Sequence, residues 1–309
     1  MDKCPLSGHV IWEETKMKNA ILMAGSPVHA GRTREARKHK VRQAVFGLLA
    51  SVTFFAMTMP GEARDLTIAL SGNPTSMDPY YHNVTANNAT ISHILEPLVT
   101  AQAGDKMAPG LAESWSAIDD NTWEFKLRQG VKFHDGSDFT AEDVTFSIKR
   151  VGLVQSPAPL TYLTNTIAKV DIVDPHTIRI VTTAPDAELP AKLSLIAILS
   201  HTAAAGAAPE GKTTAELNAG DGLVGTGPYK FVSYTPNDRV VLTTNPNYWG
   251  KKPAWENVLL KVVTADAART AAVLAGEVDV AQIPQESLEL AKKSESVNVI
   301  PGDTCQFVY

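Results

Sequence analysis

From Thr122 to Arg128 the chain alternates strictly. Trp123, Phe125 and Leu127 take one side, and Glu124, Lys126 and Arg128 take the other. That period of two belongs to a half-buried strand. Gln129-Gly130 turns the chain, Val131 to Phe133 resumes the apolar pattern, and Asp135-Gly136 breaks it. Behind Thr140 the period changes: Val144, Ile148 and Val151 recur at helical spacing. Thr140 suits an N-cap, and Asp143 three residues on nearly completes a capping box. The block from Leu111 to Arg150 therefore predicts two strands and a capped helix.

The same reading gives a strand over Leu66 to Leu70 and a helix over Asn88 to Leu95, with Ile91, Ile94, Leu95 and Leu98 on one side. Val170 to Val173 and Thr177 to Thr182, joined at Asp174-Pro175, predict a hairpin. Leu189 to Leu199 reads as an apolar helix or buried segment, and Ala203 to Gly222 as a surface stretch. Strands follow at Tyr229 to Tyr234, Arg239 to Thr243 and Val258 to Val263. Asp266 to Ala275 reads as a helix ended by Gly276, with a short strand over Val278 to Ala281. Strands interleaved with helices argue for an α/β or α+β architecture.

The first 63 residues differ in kind. Arg32, Arg34, Arg37, Lys38, Lys40 and Arg42 precede an apolar run from Ala44 to Met59, and Gly61-Glu62-Ala63 follows. A basic region, a short apolar core and small residues at the cleavage positions make a secretory signal peptide, read over 38–63. The run is shorter than the roughly 20 residues a membrane span needs, and Pro60-Gly61 ends it. Residues 1–37 extend ahead of an ordinary signal; Met17 and Met23 are both possible true starts. The full chain's 44% hydrophobic and 20% charged composition is that of a globular protein. Without residues 1–63 the charge is −9, from 19 basic and 28 acidic residues. An acidic surface argues against nucleic acid as a partner. Cys305 is then the sole cysteine, and no Cys/His cluster has metal-site spacing, so neither a metal nor another cofactor is expected.

Gly206-Ala-Ala-Pro-Glu-Gly211-Lys212-Thr213 fits the phosphate-loop pattern. In such a loop Lys212 would meet the phosphates and Thr213 a magnesium ion, which makes a P-loop nucleotidase the rival reading. Its context is poor. Six residues separate it from the preceding apolar run, and Pro209 removes a donor from the cradle. No nucleophile elbow and no zinc-hydrolase helix motif is present, so no catalytic residues are assigned. His82, His93 and the His134-Asp135 pair read as structural, and Trp115, Trp123 and Trp249 as core.

Several stretches, taken in order, resemble one family, the extracytoplasmic solute-binding proteins of ABC importers that take peptides, nickel and related solutes. They are Asp78-Pro79, Glu96-Pro97-Leu98-Val99, Leu111-Ala112-Glu113-Ser114-Trp115, Trp123 to Arg128, Gly130 to Gly136, and Thr140 to Val144. Downstream are Gly225-Thr226-Gly227-Pro228-Tyr229, Asn245-Pro246-Asn247-Tyr248-Trp249, Ala268-Arg269 and Gly276 to Asp279. The resemblance implies an α/β, two-lobed type II periplasmic binding protein with an extra subdomain. By position, 64–110 and 183–263 form lobe one, 111–182 the extra subdomain and 264–309 the start of lobe two. Gln306 to Tyr309 reads as a strand cut off mid-run, so the resemblance implies a chain with most of lobe two missing. It also implies a periplasmic receptor, not an enzyme, acting as a monomer. Such a receptor captures a small solute, a peptide above all, and hands it to the transmembrane subunits of an ABC permease. In register with relatives, the ligand backbone would pair with Asn83, Val84 and Thr85. Ser76 and Met77 would flank them, and Gly225, Thr226 and Gly227 would lie near the hinge.

The exported protein is expected to begin at Arg64. N-terminal sequencing of periplasmic material that retained the 44–59 segment would exclude this.

Overall fold

The computed structural model describes residues 65–102 and 106–300. The signal segment, its junction at Ala63 and the Gln306–Tyr309 stretch lie outside the described residues. In chain order the elements begin with β1 (Asp65–Leu70), α1 (Thr85–Ile91), β2 (Val99–Gln102) and β3 (Lys106–Pro109). Then come β4 (Ala112–Asp119), β5 (Thr122–Leu127), α2 (Ala141–Val151), β6 (Ile167–Asp174) and β7 (Thr177–Thr182). Two short helices, α3 (Leu189–Leu193) and α4 (Thr214–Asn218), precede β8 (Tyr229–Thr235), β9 (Arg239–Thr244) and β10 (Asn257–Val262). The last elements are α5 (Asp266–Leu274), β11 (Val280–Ala281) and α6 (Leu288–Lys292).

Two sheets organise the chain. The first has the order β11-β1-β10-β9-β8. β1 runs parallel to both β10 and β11, while β10-β9-β8 is an antiparallel meander. The second, β4-β5-β7-β6, is antiparallel throughout. Alternation explains the second sheet directly: Phe125, Leu127, Ile178 and Ile180 are buried, while Lys126 and Arg179 are exposed. α2 presents Val144, Ile148 and Val151 to the core. Its first turn is closed as the residues forecast, with Thr140 N–H donating to Asp143 Oδ2 at 2.8 Å. One continuous apolar cluster runs through both sheets, from Leu98 and Leu111 to Ile180 and Leu260.

Four expectations shift. The first helix begins at Thr85, not Asn88, and stops at Ile91. Beyond it a tighter turn continues to Leu95, and the carbonyls of His93 and Ile94 accept from the N–H groups of Tyr229 and Gly227, at 3.0 Å each. Val131 to Phe133 is no strand; Lys132 makes only an isolated bridge to Asp138. The strand that pairs with β5 is β4, which alternation could not reveal because most of its positions are exposed. Residues 264–281 do not open a new lobe. α5 carries the chain back so that β11 pairs with β1, and Ala272 and Val278 pack on Ala69. A crossover helix is what a parallel neighbour requires. Arg269 of α5 is buried and donates to the carbonyls of Val263, Thr264 and Gln282, tying the ends of β10 and β11 together.

One buried ion pair joins the sheets. Arg150, at the end of α2, donates from Nη1 and Nη2 to the two oxygens of Asp78 at 2.7 and 2.8 Å. Their side chains are 1% and 0% exposed. Asp78 also accepts from Thr214 Oγ1 at 2.7 Å and from Tyr80 N–H at 3.1 Å. Arg150 Nε donates to Glu210 O at 2.9 Å and Nη2 to Lys212 O at 3.0 Å. Removing one partner leaves an uncompensated buried charge, worth about 3–5 kcal/mol. Asp78→Asn is therefore expected to cost about 3–5 kcal/mol in urea unfolding. Asp78→Asn combined with Arg150→Met should cost less than the single change; a single variant within about 1 kcal/mol of wild type would remove the pair from this role.

Candidate functional site

Ligands of open α/β sheets sit outside the carboxyl ends of the parallel strands. Here that edge is formed by the ends of β1, β10 and β11. Ser71 Oγ donates to Gln282 Oε1 at 3.1 Å across it. The loop leaving β1 is pinned at Asn73, which exchanges hydrogen bonds with Asn237 at the β8–β9 turn. Asn237 takes a positive φ of 61°, a conformation asparagine tolerates. The loop then dives inward before it surfaces at His82.

That course decides where the expected residues fall. Ser76 and Met77 are fully buried. Ser76 Oγ and Met77 N–H both donate to Asn218 Oδ1, at 2.9 and 2.7 Å. They anchor the loop to α4 and do not flank an open surface. Asn83 and Thr85 are exposed, with Val84 between them in an extended conformation. Val84 N–H is already engaged by His82 O at 3.0 Å, and Thr85 is the first residue of α1. The extended segment is thus shorter than a pairing strand of three residues, and only Asn83 and Thr85 flank its open side.

Gly225, Thr226 and Gly227 are buried too, and the close approach that glycine permits is to this chain's own backbone. A Cβ on Gly225 would stand 2.1 Å from Ile94 O, and one on Gly227 2.7 Å from His93 O. His134 clamps the same segment. Its N–H donates to Gly225 O at 2.9 Å, Gly225 N–H donates to its Nδ1 at 3.3 Å, and Nε2 lies 3.0 Å from Gly227 O. Because Nδ1 accepts, the proton sits on Nε2, which donates. Burial, aided by Lys230, pushes the imidazole down to about 4, the bond to Gly227 offsetting part of it. Asp135 does not pair with His134; it accepts from Ser137.

Glu96 lies beside this clamp. Oε2 accepts from Thr226 Oγ1 and Trp249 Nε1, both at 2.7 Å, and Oε1 from the Tyr248 hydroxyl at 2.9 Å. Burial raises its pKa, and the three donors pull the other way. Arg128 lies over the Trp249 ring at 4.5 Å. Asn245 Nδ2 donates to Gly227 O at 3.0 Å. Motifs separated by up to 153 residues, Glu96-Pro97-Leu98, His134, Gly225-Thr226-Gly227 and Asn245 to Trp249, meet at one node.

Sequence reasoning missed Tyr162. It sits on a single 3-10 turn, Thr161–Leu163, and is 48% exposed. Asn83 Nδ2 donates to its hydroxyl at 2.9 Å, and Ser156 Oγ donates to Tyr81 O. The loop after α2 therefore braces the 81–85 segment. An isolated exposed tyrosine in a Pro-rich loop carries no periodic signal. Neither 81–92 nor 156–168 contains Lys, Arg, Asp or Glu, so this wall offers an aromatic ring, amides and hydroxyls. Among the described residues no cluster of three or more His, Cys, Asp or Glu is arranged to hold a metal ion, and no helix is long and apolar enough to cross a membrane.

The phosphate-loop match does not form a phosphate site. No strand precedes it. Lys212 Nζ is held by Asp221 at 2.7 Å and Glu216 at 3.3 Å. Thr213 caps α4 through Glu216. The loop's carbonyls at 210 and 212 face Arg150.

Residues 106–309 match the middle region of the bacterial extracellular solute-binding proteins, family 5. The chain belongs to that family. The glutathione-binding protein GsiB of Salmonella typhi is 30% identical over 260 residues, 83% of this chain and 49% of the relative. The oligopeptide-binding protein AppA of Bacillus subtilis, solved with a nonapeptide, superposes with a TM-score of 0.67 at 25% identity. That match covers 75% of this chain and 46% of AppA. NikZ of Campylobacter jejuni, solved with Ni(L-His), gives 0.65 at 25%, covering 75% and 45%. The chain spans about half the length of the curated relatives it matches. These family 5 relatives are two-lobed binding proteins of transport systems, and the mixed sheets described above are their fold.

The burial of His134 in this clamp is testable through pH. Its folded pKa lies below the unfolded value of about 6.5. As pH falls from about 6.5 toward 4, the unfolded chain takes up a proton that the folded chain refuses, so stability is lost across that window. His134→Gln should flatten the dependence of urea-unfolding free energy on pH there. An unchanged slope would mean that His134 is not held neutral.

Proposed function

We propose that this family 5 chain serves as the receptor of an ABC importer. It is not an enzyme. It is exported with cleavage after Ala63, binds a peptide-like solute, and delivers it to the transmembrane subunits of the permease. In this reading the first-lobe wall of the solute site is Asn83, Val84 and Thr85 with Tyr162. Ser76, Met77, Gly225, Thr226 and Gly227 act behind it as the frame that fixes its position. The observation that carries the reading is the exposed, uncharged edge at Asn83 and Thr85, braced by the Asn83–Tyr162 hydrogen bond. Backbone groups at alternate positions can pair with an extended peptide without reading its side chains. The relatives' solutes agree: glutathione and a nonapeptide both present peptide groups, while the Ni(L-His) of NikZ shows that the fold accepts others. In a two-lobed receptor, contacts available only on closure shift the open–closed equilibrium toward the form a permease reads.

Thr85→Pro is the decisive variant. Proline at the first helical position is tolerated, and Val84 already has the extended backbone that precedes proline. The change therefore deletes one N–H on the open edge and leaves α1 intact. One lost hydrogen bond costs about 0.5–1.5 kcal/mol, so solute affinity should fall about 2- to 12-fold with unfolding unchanged. Amide NMR with millimolar trialanine or glutathione should shift Asn83 and Thr85 in the unaltered chain. Saturating peptide that perturbs neither residue would exclude this wall.

A further inference from the structure

The second sheet ends in an open edge. Among the described residues β6 is hydrogen-bonded to β7 on one side only. Along it Ile172 and Val173 are 46% and 49% exposed. On the inner face a groove of about 350 Å³, lined by Thr145, Ile148, Ile167, Ala168 and Val170 among others, follows the strand. An unpaired strand with apolar side chains is a template for another strand.

The outer face of this sheet shows which strand. Its charges alternate from strand to strand. Glu124 on β5 stands opposite Arg179 on β7, and Arg179 stands opposite Asp171 on β6. Arg179 Nε meets Glu124 Oε2 at 2.9 Å. The ladder reads negative, positive, negative, and then stops at the open edge. The next strand should bring a positive charge opposite Asp171. β6 carries that charge itself: Lys169, two residues away on the same face, now turns back onto Asp171 at 2.7 Å.

We propose that β6 pairs antiparallel with β6 of a second copy, with Val170 on the two-fold axis. In that register Lys169 of each copy faces Asp171 of the other, and both ladders continue across the interface. Val170 meets Val170 at the axis, so the inner face of the contact is apolar there. Moving the axis to Asp171 would set like charges face to face. Moving it midway between Val170 and Asp171 would set each charge opposite an apolar side chain. Only the Val170 register pairs charge with charge and apolar with apolar. An isologous contact of this kind closes at two copies. Irregularities in the β6–β7 register between Ile167 and Lys169, and between Ile172 and Asp174, confine the regular stretch to four residues. The association is therefore weak and concentration-dependent, and departs from the monomer expected of this family.

Sedimentation velocity of the full chain across micromolar to millimolar concentration tests this. A monomer–dimer equilibrium that weakens with salt is expected. Lys169→Glu creates two like-charge contacts per dimer and should raise the dimer dissociation constant about tenfold or more. The exchange Lys169→Asp with Asp171→Lys restores both pairs across the axis and should restore the dimer. Both positions are solvent-exposed, and circular dichroism checks that each variant is folded. A chain that stays monomeric throughout overturns the proposal. So does a dimer indifferent to Lys169→Glu, or one the charge exchange fails to rescue.

Discussion

Burying a guanidinium is costly unless its donors all find acceptors, and α2 offers Arg150 none of its own. The acceptors come from three places: the carboxylate of Asp78 and the carbonyls of Glu210 and Lys212. They are delivered by two segments, whose positions α4 helps to fix. The loop after β1 has to turn inward to bring Asp78. The loop before α4 has to wrap over the end of α2. α4 has to lie where Thr214 reaches Asp78 and Asn218 reaches Ser76 and Met77. The first sheet is thus fastened to the second through polar groups rather than through apolar contact alone. Asp78 is thus fully committed to internal partners.

The Glu96 node works by the same logic with one difference. Its carboxylate is surrounded by hydroxyl and indole donors rather than by a cation, so its negative charge is only partly met. Burial holds its pKa up while Thr226, Tyr248 and Trp249 hold it down. The arrangement fixes the Gly225–Gly227 backbone against His93 and Ile94, just beyond the end of α1, and so holds the helix that the 82–85 segment leads into. The frame therefore sets the wall's position, and the wall's side chains are free to differ.

How much of this the residues announce depends on burial. β5, β7 and α2 bury one clean face each, so their period is visible in the letters. β4 is largely exposed and buries almost nothing to write a pattern with. β11 is two residues long and is defined by its partner, so its place beside β1 could not be read locally. The node residues were legible as motifs but not as to role. A glycine that needs to approach something closely looks the same whether the neighbour is a ligand or the carbonyl of Ile94. Ser76 and Met77 were misplaced because a loop's inward course is set by distant partners, here Asn218. Asn83 and Thr85 came from register with relatives and are exposed, whereas nothing periodic marks Tyr162, which hydrogen-bonds Asn83.

This separation explains why the family is plain and the solute is not. Every motif that identifies the family is committed to an internal partner: Asp78 to Arg150, Glu96 to Trp249, His134 to Gly227, Asp143 to Thr140 and His201. Such residues cannot vary without cost, because a buried donor or acceptor left alone loses its full solvation. The open edge has no such obligation. Backbone amides at Asn83 and Thr85 would serve any extended chain, and the uncharged surroundings mean that a charged end of the solute must be met by groups outside these two segments. In the proposed reading, selectivity resides outside the frame, in exposed side chains such as Tyr162, whose substitution would leave the frame standing.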